Sequence, residues 1–281
     1  MTVSLARRVA RLVLSVTIAA GIASQALPAR AALLFSEPFQ YTVGANLAGQ
    51  NGGSGFSAAW GSGSSTLVAG LNGGGSAVAL DSTGGAQTRQ LSSTIGTTGT
   101  TSYISYLMNS SDFNNGNYTG IDLVLGPSTS QLFLGIPFNA RKFGFDAKNS
   151  LPIQTINFTP TTNTSYLVAI GLIPSATPGK VDIKMWATSN LAIDPTTLVA
   201  STPNAQLIGT RNNFTFDRIL LDGNMPSSLK VSGLATSPSI SEAVAVSVAA
   251  VPEPASLGLA ATAAIASLCW RARRRRPVVT G

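Results

Sequence analysis

Apolar residues that recur at every second position are the feature of this sequence that most limits its fold. In the segment 181–186, apolar Val, Ile and Met alternate with Asp, Lys and Trp, which predicts a strand with one face in the core and the other in water. The same period recurs in the segments 121–125, 132–136, 143–145 and 166–172. Gly, Pro, Asn, Ser and Thr fill the gaps between these segments, as they do in turns. Many short strands without intervening helices predict an all-β fold, an antiparallel β-sandwich of the jelly-roll type.

One strand carries a change of phase that predicts a β-bulge. Phe214 and Phe216 occupy even positions, whereas Ile219 and Leu221 occupy odd ones. Because side chains alternate across a strand, the inward face must switch between the two pairs. We therefore expect an extra residue at positions 217–218.

Two short stretches depart from the strand pattern. Residues 194–198 begin with Asp before Pro, which predicts a short helical turn. Near the end of the β region, Val244, Val246 and Val248 alternate with small residues. This alternation leaves open a last strand or an apolar stalk.

Residues 1–31 have the three parts of a secretory signal peptide. Arginines precede an apolar stretch, residues 12–23, and Ala29 and Ala31 then form an A-x-A cleavage site. The arginines are Arg7, Arg8 and Arg11. We expect the general secretion machinery to export the chain and signal peptidase to cut after residue 31.

Residues 251–281 form a second targeting block. Pro252, Glu253 and Pro254 precede a charge-free apolar run, residues 255–270, and a basic tail, residues 271–276. The basic side chains of the tail are Arg271, Arg273, Arg274, Arg275 and Arg276. A helix of this length spans about 24 Å, slightly less than a hydrocarbon core of roughly 30 Å. We predict a transmembrane helix over residues 255–270, with the arginines on the cytoplasmic side.

This second block resembles the C-terminal sorting signal of bacterial PEP-CTERM proteins, which combine a Pro-Glu-Pro tripeptide, one membrane-length helix and an arginine cluster. The resemblance implies that an exosortase, a membrane-embedded transpeptidase, recognises residues 252–254 and cuts near them. The protein would then be anchored in the inner membrane, facing the periplasm, before it reaches the cell surface or extracellular matrix.

The body between the two targeting segments, residues 32–250, also resembles a known fold. The stretch F-S-E-P-F-Q-Y-T-V-G-A-N-L-A-G-Q-N-G-G-S-G-F, residues 35–56, and F-D-R-I-L-L, residues 216–221, are similar to the ends of a concanavalin-like, laminin-G-like jelly roll. This likeness supports the sandwich fold.

The basic charge of the chain belongs to its targeting segments. Of the 18 basic residues, four lie in residues 1–31 and five in the tail, which leaves nine in the body against ten of the 11 acids. The body is therefore close to neutral, and the net charge of +7 does not indicate a nucleic-acid partner.

The residues that the chain lacks exclude several kinds of active site. It has no histidine, and its only cysteine, Cys269, lies in the predicted membrane helix. Ser–His triads, Cys–His dyads and histidine-based metal centres are thus excluded. We expect no catalytic residues and no cofactor.

Carboxylates are the groups left for acid–base chemistry. Asp112, Asp122, Asp146, Asp182 and Asp222 lie singly in the sequence, without the E-x-D strand pattern of concanavalin-like hydrolases. A solvated face explains such acids, although a hydrolase with two carboxylates about 5–10 Å apart is the alternative.

A calcium site is a second use of these acids. Asp112, Asp122 and the Asn-rich loop at residues 114–117 offer hard oxygen ligands, whereas an ordinary Asn-rich turn explains the same residues.

Three aromatic residues are candidates for glycan contact. Alternation places Trp186 on the outward face of its strand, where its ring can stack on a sugar unless a neighbouring element covers it. Trp60 and Tyr118 lie on predicted loops.

We therefore expect a non-enzymatic, exported protein of the cell surface or extracellular matrix that binds polysaccharide through a jelly-roll domain. A polysaccharide-active hydrolase and a purely structural matrix component are the alternatives.

Overall fold

The computed structural model describes residues 32–73, 75–80, 85–113, 118–223 and 229–248, which belong to one compact unit that begins at Ala32. These residues form two antiparallel sheets that pack face to face, as the alternation predicts. The strands are β1 (Phe35–Glu37), β2 (Thr66–Ala69), β3 (Ser76–Leu80), β4 (Gln87–Gly96), β5 (Ser102–Ser110), β6 (Thr119–Leu125), β7 (Thr129–Ile136), β8 (Gly144–Asp146), β9 (Gln154–Thr155), β10 (Tyr166–Pro174), β11 (Lys180–Thr188), β12 (Ala205–Asn212), β13 (Thr215–Gly223) and β14 (Leu229–Ser237).

The larger sheet has eight strands in the order β12-β11-β10-β5-β14-β3-β2, and β1 pairs with the end of β14 that β3 leaves free. The smaller sheet has six strands in the order β4-β13-β6-β7-β8-β9. Strands distant in sequence are neighbours in both sheets, which is the topology of a jelly-roll type sandwich. The predicted fold class is confirmed.

The main core lies between the two sheets and uses the inward residues of each strand. Ile121 and Leu123 on β6 face Val168 and Ile170 on β10 across the same core, and all four side chains are fully buried. Apolar burial on this scale is the principal stabilising term of a sandwich, at roughly 25 cal/mol per Å².

The ladder between β13 and β4 is irregular at the predicted place, but the extra residues lie on β4 and not at 217–218: Phe216 and Arg218 are two apart, whereas their partners Ile95 and Gln90 are five apart. The register shifts between Phe216 and Arg218, and the fully buried side chains pass from Phe216 to Ile219 and Leu221. The change of phase in the sequence thus located the irregularity to the residue pair.

Two helices cover the outer face of the larger sheet. Helix α1 (Pro195–Ala200) begins after Asp194, whose carboxylate accepts hydrogen bonds from the backbone N–H groups of Thr196 and Thr197. This N-cap confirms the predicted helical turn.

Helix α2 (Ile240–Val248) corrects the interpretation of the valine alternation as a strand or a stalk. Its buried residues are Ile240, Ala243, Val244 and Ser247, a spacing of three and four that places them on one helical face. The alternating valines hid this second period, because Ala243 and Ser247 carry little hydrophobic signal of their own.

A buried ion pair holds the long loops at one end of the sandwich. Glu37 and Arg89 form a salt bridge, and their side chains are 0% and 1% exposed. The Glu37 carboxylate also accepts hydrogen bonds from Tyr41 and Trp60, and the Arg89 guanidinium donates to the carbonyl oxygen of Gly52. Every charge of this pair is matched by a partner, which a buried ion pair requires.

Both predicted targeting helices lie outside the described residues. Within the part of the chain that the structure describes, no helix has the length and apolar character needed to cross a membrane.

Candidate functional site

A pocket of about 230 Å³ lies on the outer face of the six-stranded sheet. Strands β6, β7, β8 and β13 and the loops after β7 and β8 line it. The lining residues are Tyr118, Asp122, Phe133, Pro137, Phe138, Asp146, Lys148 and Asp222. Three carboxylates and three aromatic rings thus lie together on this face of the sheet.

The strand register brings the acids together. Asp122 on β6 pairs with Phe133 on β7, which pairs with Asp146 on β8. The two carboxylates therefore belong to residues two strand spacings apart, or about 10 Å between Cα atoms. Asp222 lies on β13, on the other side of β6, where it pairs with Gly120.

A row of buried glycines lies beside these acids. Gly120, Gly135 and Gly144 pair across β6, β7 and β8, two residues from Asp122, Phe133 and Asp146 respectively. A Cβ at any of the three would lie 2.1–2.5 Å from a backbone carbonyl oxygen, so the row allows close approach of backbone next to the carboxylates. Gly135 has φ +146°, and a Cβ there would lie 2.5 Å from the carbonyl oxygen of Thr119.

Each carboxylate has one defined partner. The Ser130 hydroxyl donates to Asp122 Oδ1 at 2.7 Å, and the Tyr118 hydroxyl donates to Asp222 Oδ2 at 3.2 Å. Lys148 Nζ forms a salt bridge with Asp146 Oδ2 at 3.0 Å. Lys148 is the one basic side chain that lines the pocket, so it balances one of three carboxylates.

The pKa of Asp122 is set mainly by burial. Burial raises this pKa to about 6, the hydrogen bond from Ser130 and the charge of Lys148 lower it, and the charges of Asp222 and Asp146 raise it. Burial and the negative charge of Asp222 also raise the pKa of the Tyr118 hydroxyl. With three acids and one lysine among its lining residues, the pocket has a net negative charge when the acids are ionised.

The aromatic residues form a floor and a rim. Phe133 is 4% exposed, and the Tyr118 ring packs edge-on against it with a centroid distance of 5.8 Å and an interplanar angle of 84°. Lys148 Nζ lies 5.5 Å from the Phe133 centroid. Phe138, by contrast, is 56% exposed at the rim. Tyr118 and Phe138 are thus the rings that a ligand can contact.

Backbone strain concentrates around the pocket. Of the seven non-glycine residues with positive φ among those the structure describes, five lie in the loops after β7 and β8: Asn139, Arg141, Lys148, Asn149 and Ser150. The left-handed region is costly for residues with a Cβ, and such residues concentrate at binding sites.

Of the two alternatives for Trp186, a free ring and a ring covered by a neighbouring element, the structure shows the second. Trp186 is 2% exposed, and its indole donates to the carbonyl oxygen of Ser201 at 3.0 Å. Helices α1 and α2 cover it, through Leu198 and Val244 of a second apolar cluster. Strand alternation identified the outward face correctly but carried no information on the helices that cover that face.

Trp60 is also unavailable as a sugar platform. Its ring is 2% exposed, and its indole donates to Glu37 Oε2 at 3.0 Å within the buried ion-pair cluster. Tyr118 is thus the predicted contact residue that the structure places at the pocket.

The structure describes only some of the residues proposed as calcium ligands. Residues 114–117 lie outside the described ranges, and Asp122 faces the pocket. The described residues contain no group of three or more acidic, histidine or cysteine side chains that could hold a metal ion.

Sequence reasoning missed Phe138, Asp146, Lys148 and Asp222 as members of one site. The signal was present as the outward residues of three strands: Gly120 and Asp122, Phe133 and Gly135, Gly144 and Asp146. The sequence does not show the register of β6, β7 and β8, which pairs the three glycines with one another and pairs Phe133 with Asp122 and Asp146.

Residues 250–275 match the family model of the PEP-CTERM protein-sorting motif. The chain carries a PEP-CTERM sorting motif. The match includes Pro252, Glu253, Pro254 and the arginines up to Arg275, and it implies recognition by an exosortase, a membrane protein. These residues lie outside the described ranges, as do Ala29 and Ala31.

Solved structures share the sandwich architecture at low identity. The Trypanosoma cruzi calreticulin globular domain has a TM-score of 0.48 and 9% identity, over 76% of this chain and 90% of that one. A Trypanosoma rangeli sialidase has a TM-score of 0.37 and 10% identity, over 66% of this chain and 29% of that one. An alginate lyase of polysaccharide lyase family 7 has a TM-score of 0.37 and 9% identity, over 63% and 78%. No curated protein matches the sequence. These likenesses say nothing about the activity of this chain.

Proposed function

We propose that this is an exported, non-enzymatic protein of the cell surface or extracellular matrix that binds polysaccharide through the pocket on its six-stranded sheet. Signal peptidase would cut after Ala31, and an exosortase would process the chain near residues 252–254. The PEP-CTERM motif supports export and sorting. The observation that carries the binding proposal is the convergence of Phe138, Tyr118 and three carboxylates in one open pocket.

The chemistry of the pocket suits a sugar that carries no negative charge. Ionised carboxylates only accept hydrogen bonds, so Asp122, Asp146 and Asp222 match the donor hydroxyls of a sugar ring. Aromatic rings such as Tyr118 and Phe138 present flat apolar faces to the C–H side of that ring. The uncompensated negative charge opposes a uronate and favours a neutral or amino sugar.

Binding to a panel of immobilised polysaccharides tests this proposal. The purified protein should bind neutral or hexosamine polymers and not uronate polymers. Phe138→Ala should weaken that binding roughly tenfold, because it removes one of the two rings that a ligand can contact. The matched control is Ile208→Ala, which removes a 48% exposed apolar side chain from the other sheet and should leave binding unchanged. Equal losses for both variants would refute the pocket as the binding site.

Mass spectrometry of the surface-exposed protein tests the sorting proposal separately. We expect the C-terminus to lie near residues 252–254. An intact Gly281 on the mature protein would refute processing, whatever the outcome of the binding assay.

One observation favours the hydrolase alternative. Asp122, whose pKa is raised to about 6, has the property of a general acid, and Asp146 and Asp222 lie on either side of it. Hydrolysis of a polymer that the protein binds, with loss of that activity but retained binding in Asp122→Asn, would establish the enzyme.

A further inference from the structure

Helix α2, the last element that the structure describes, is built into the domain. It packs on β5 and β14, and Ile240 and Val244 cover the apolar cluster that contains Leu107, Leu167 and Trp186. Release of the helix would expose these large side chains to water. The docked arrangement is therefore the stable one.

The sheet is shaped to receive this helix. Gly233 on β14 has φ +62°, and a Cβ there would lie 2.6 Å from Ser247 Cα. The ladder between β14 and β5 shifts register between Ser232 and Ala235, beside the same glycine. A bulge and a glycine with positive φ thus allow close approach of the helix.

Hydrogen bonds from serine hydroxyls connect the second half of the helix to β5 and β14. The Ser247 hydroxyl donates to the carbonyl oxygen of Gly233 at 2.5 Å and contacts the hydroxyl of Ser105. Ser105 also donates to the carbonyl oxygen of Ala243 at 3.2 Å. Both serines are buried, at 0% exposure for Ser105 and 3% for Ser247.

The end of the helix is tied to a neutral corner of the domain. Asn72, in the turn between β2 and β3, donates to the carbonyl oxygen of Val248 at 2.5 Å. Ser165 donates to the carbonyl oxygen of Leu71 at 3.4 Å, and Asn109 donates to Ser165 at 3.4 Å. We call Asn72, Asn109 and Ser165 the exit corner, because the last described residue, Val248, lies there.

The chain between the exit corner and the sorting motif is short. Val248 and Pro252 are four residue steps apart in the sequence, which fully extended span at most about 14 Å. A domain of this size has a radius of gyration of about 17 Å. An enzyme that engages residues 252–254 therefore binds within about 14 Å of Val248 as long as α2 stays docked.

We propose that the exit corner is a contact surface for the membrane-embedded peptidase that reads the sorting motif, and that processing takes place with α2 docked on the sheet. This inference rests on the proposed sorting function. The three side chains of the corner are half-buried and uncharged, and their hydrogen bonds to one another and to the backbone hold it in shape, so a partner can cover them without desolvating a charge of theirs.

Photo-crosslinking of the full chain in bacterial cells that contain the peptidase tests the contact. A benzophenone side chain at position 72 should crosslink to the peptidase, whereas the same group in place of Phe138, on the outer face of the other sheet, should not. A ten-residue Gly-Ser insertion after Val248 should abolish the crosslink from position 72. Crosslinks to lipid alone, no crosslink, or equal crosslinks from both positions would overturn the proposal.

A disulfide lock tests the docked state. The double variant Ser105→Cys, Ser247→Cys places two thiols where the hydroxyls touch, so that oxidation joins α2 to β5. Processing should be the same in the oxidised and the reduced protein. Processing that stops on oxidation and returns on reduction would show that α2 must leave the sheet.

The controls separate this proposal from the one it rests on. If the wild-type chain is never processed, the sorting function fails. If the wild-type chain is processed but the variant with the benzophenone at position 72 gives no crosslink, the sorting function stands and contact at the exit corner is refuted.

Discussion

Two polar clusters lie at different depths of the same sandwich, and they differ in how their charges are matched. The Glu37–Arg89 pair is fully buried, and each group has further hydrogen-bond partners. The pocket of Asp122, Asp146 and Asp222 is open and holds one lysine against three acids. A closed, satisfied cluster stabilises a fold, whereas an open and unbalanced one retains the capacity to bind.

Several residues of the stretch 35–56 belong to the cluster around the Glu37–Arg89 ion pair. Glu37, Tyr41 and Gly52 all lie in residues 35–56, and each bonds to another member of the cluster. Trp60 also belongs to it. These residues are thus explained by the stability of the long loops rather than by a ligand.

The largest expected effect comes from breaking the closed cluster. Arg89→Ala should destabilise the protein by about 3–5 kcal/mol, because it leaves the buried Glu37 carboxylate without a countercharge. Urea denaturation of the purified variant measures this loss. The double variant Glu37→Leu, Arg89→Met should recover much of it, and a single variant within about 1 kcal/mol of wild type would contradict the account.

Removal of a charge from the pocket should stabilise the protein, whereas removal of a charge from the buried ion pair destabilises it. Because burial raises the pKa of Asp122 from 3.8 to about 6, the folded state holds a proton that the unfolded state releases between these values. The free energy of unfolding should therefore fall as the pH rises from about 4 to about 6 and stay low above it. Asp122→Asn removes the buried charge, so it should stabilise the protein at pH 8 by up to about 3 kcal/mol.

Thermal unfolding at pH 4 and pH 8 measures this difference. The stabilisation by Asp122→Asn should be present at pH 8 and absent at pH 4. Asp182→Asn is the control, since that half-buried acid lies on the other sheet, outside the pocket. Equal effects of the two variants at both pH values would refute the special status of Asp122.

The smallest expected effects compare two aromatic residues. Trp186→Phe should cost about 1 kcal/mol, because it removes the hydrogen bond to the Ser201 carbonyl oxygen, and it should leave polysaccharide binding unchanged. Phe138→Ala should change stability by less than about 0.5 kcal/mol, because Phe138 is largely exposed. Stability and binding measured on both variants should therefore give opposite rankings.

Much of the fold could be predicted from the sequence because strand alternation reports directly on which residues face the core. It gave the all-β class, the inward faces of β6, β7, β10 and β11, and the place of the irregularity beside Phe216. It failed where a third layer covers the sheet, since an outward position on β11 looks the same whether water or helix α2 lies above it.

The site was harder to predict from the sequence than the fold, because it also depends on how distant elements come together. Asp122, Asp146 and Asp222 are separated by 24 and 76 residues in the sequence, and only the register of four strands joins them. Each acid alone has the appearance of a solvated side chain. Tyr118 was found because an aromatic residue beside a strand already suggests contact, whereas Phe138 follows a proline in a loop that carried no such signal.

The central claim is that the open pocket is the binding site, and the titration of Asp122 tests it most directly. Carboxyl-resolved NMR of the purified protein should give Asp122 a pKa of about 6 in the free state. Saturation with a neutral or amino-sugar oligosaccharide should lower that pKa, because donor hydroxyls or an ammonium group stabilise the carboxylate. An Asp122 that titrates near 4 in the free protein, or whose pKa a bound oligosaccharide leaves unchanged, would contradict the account.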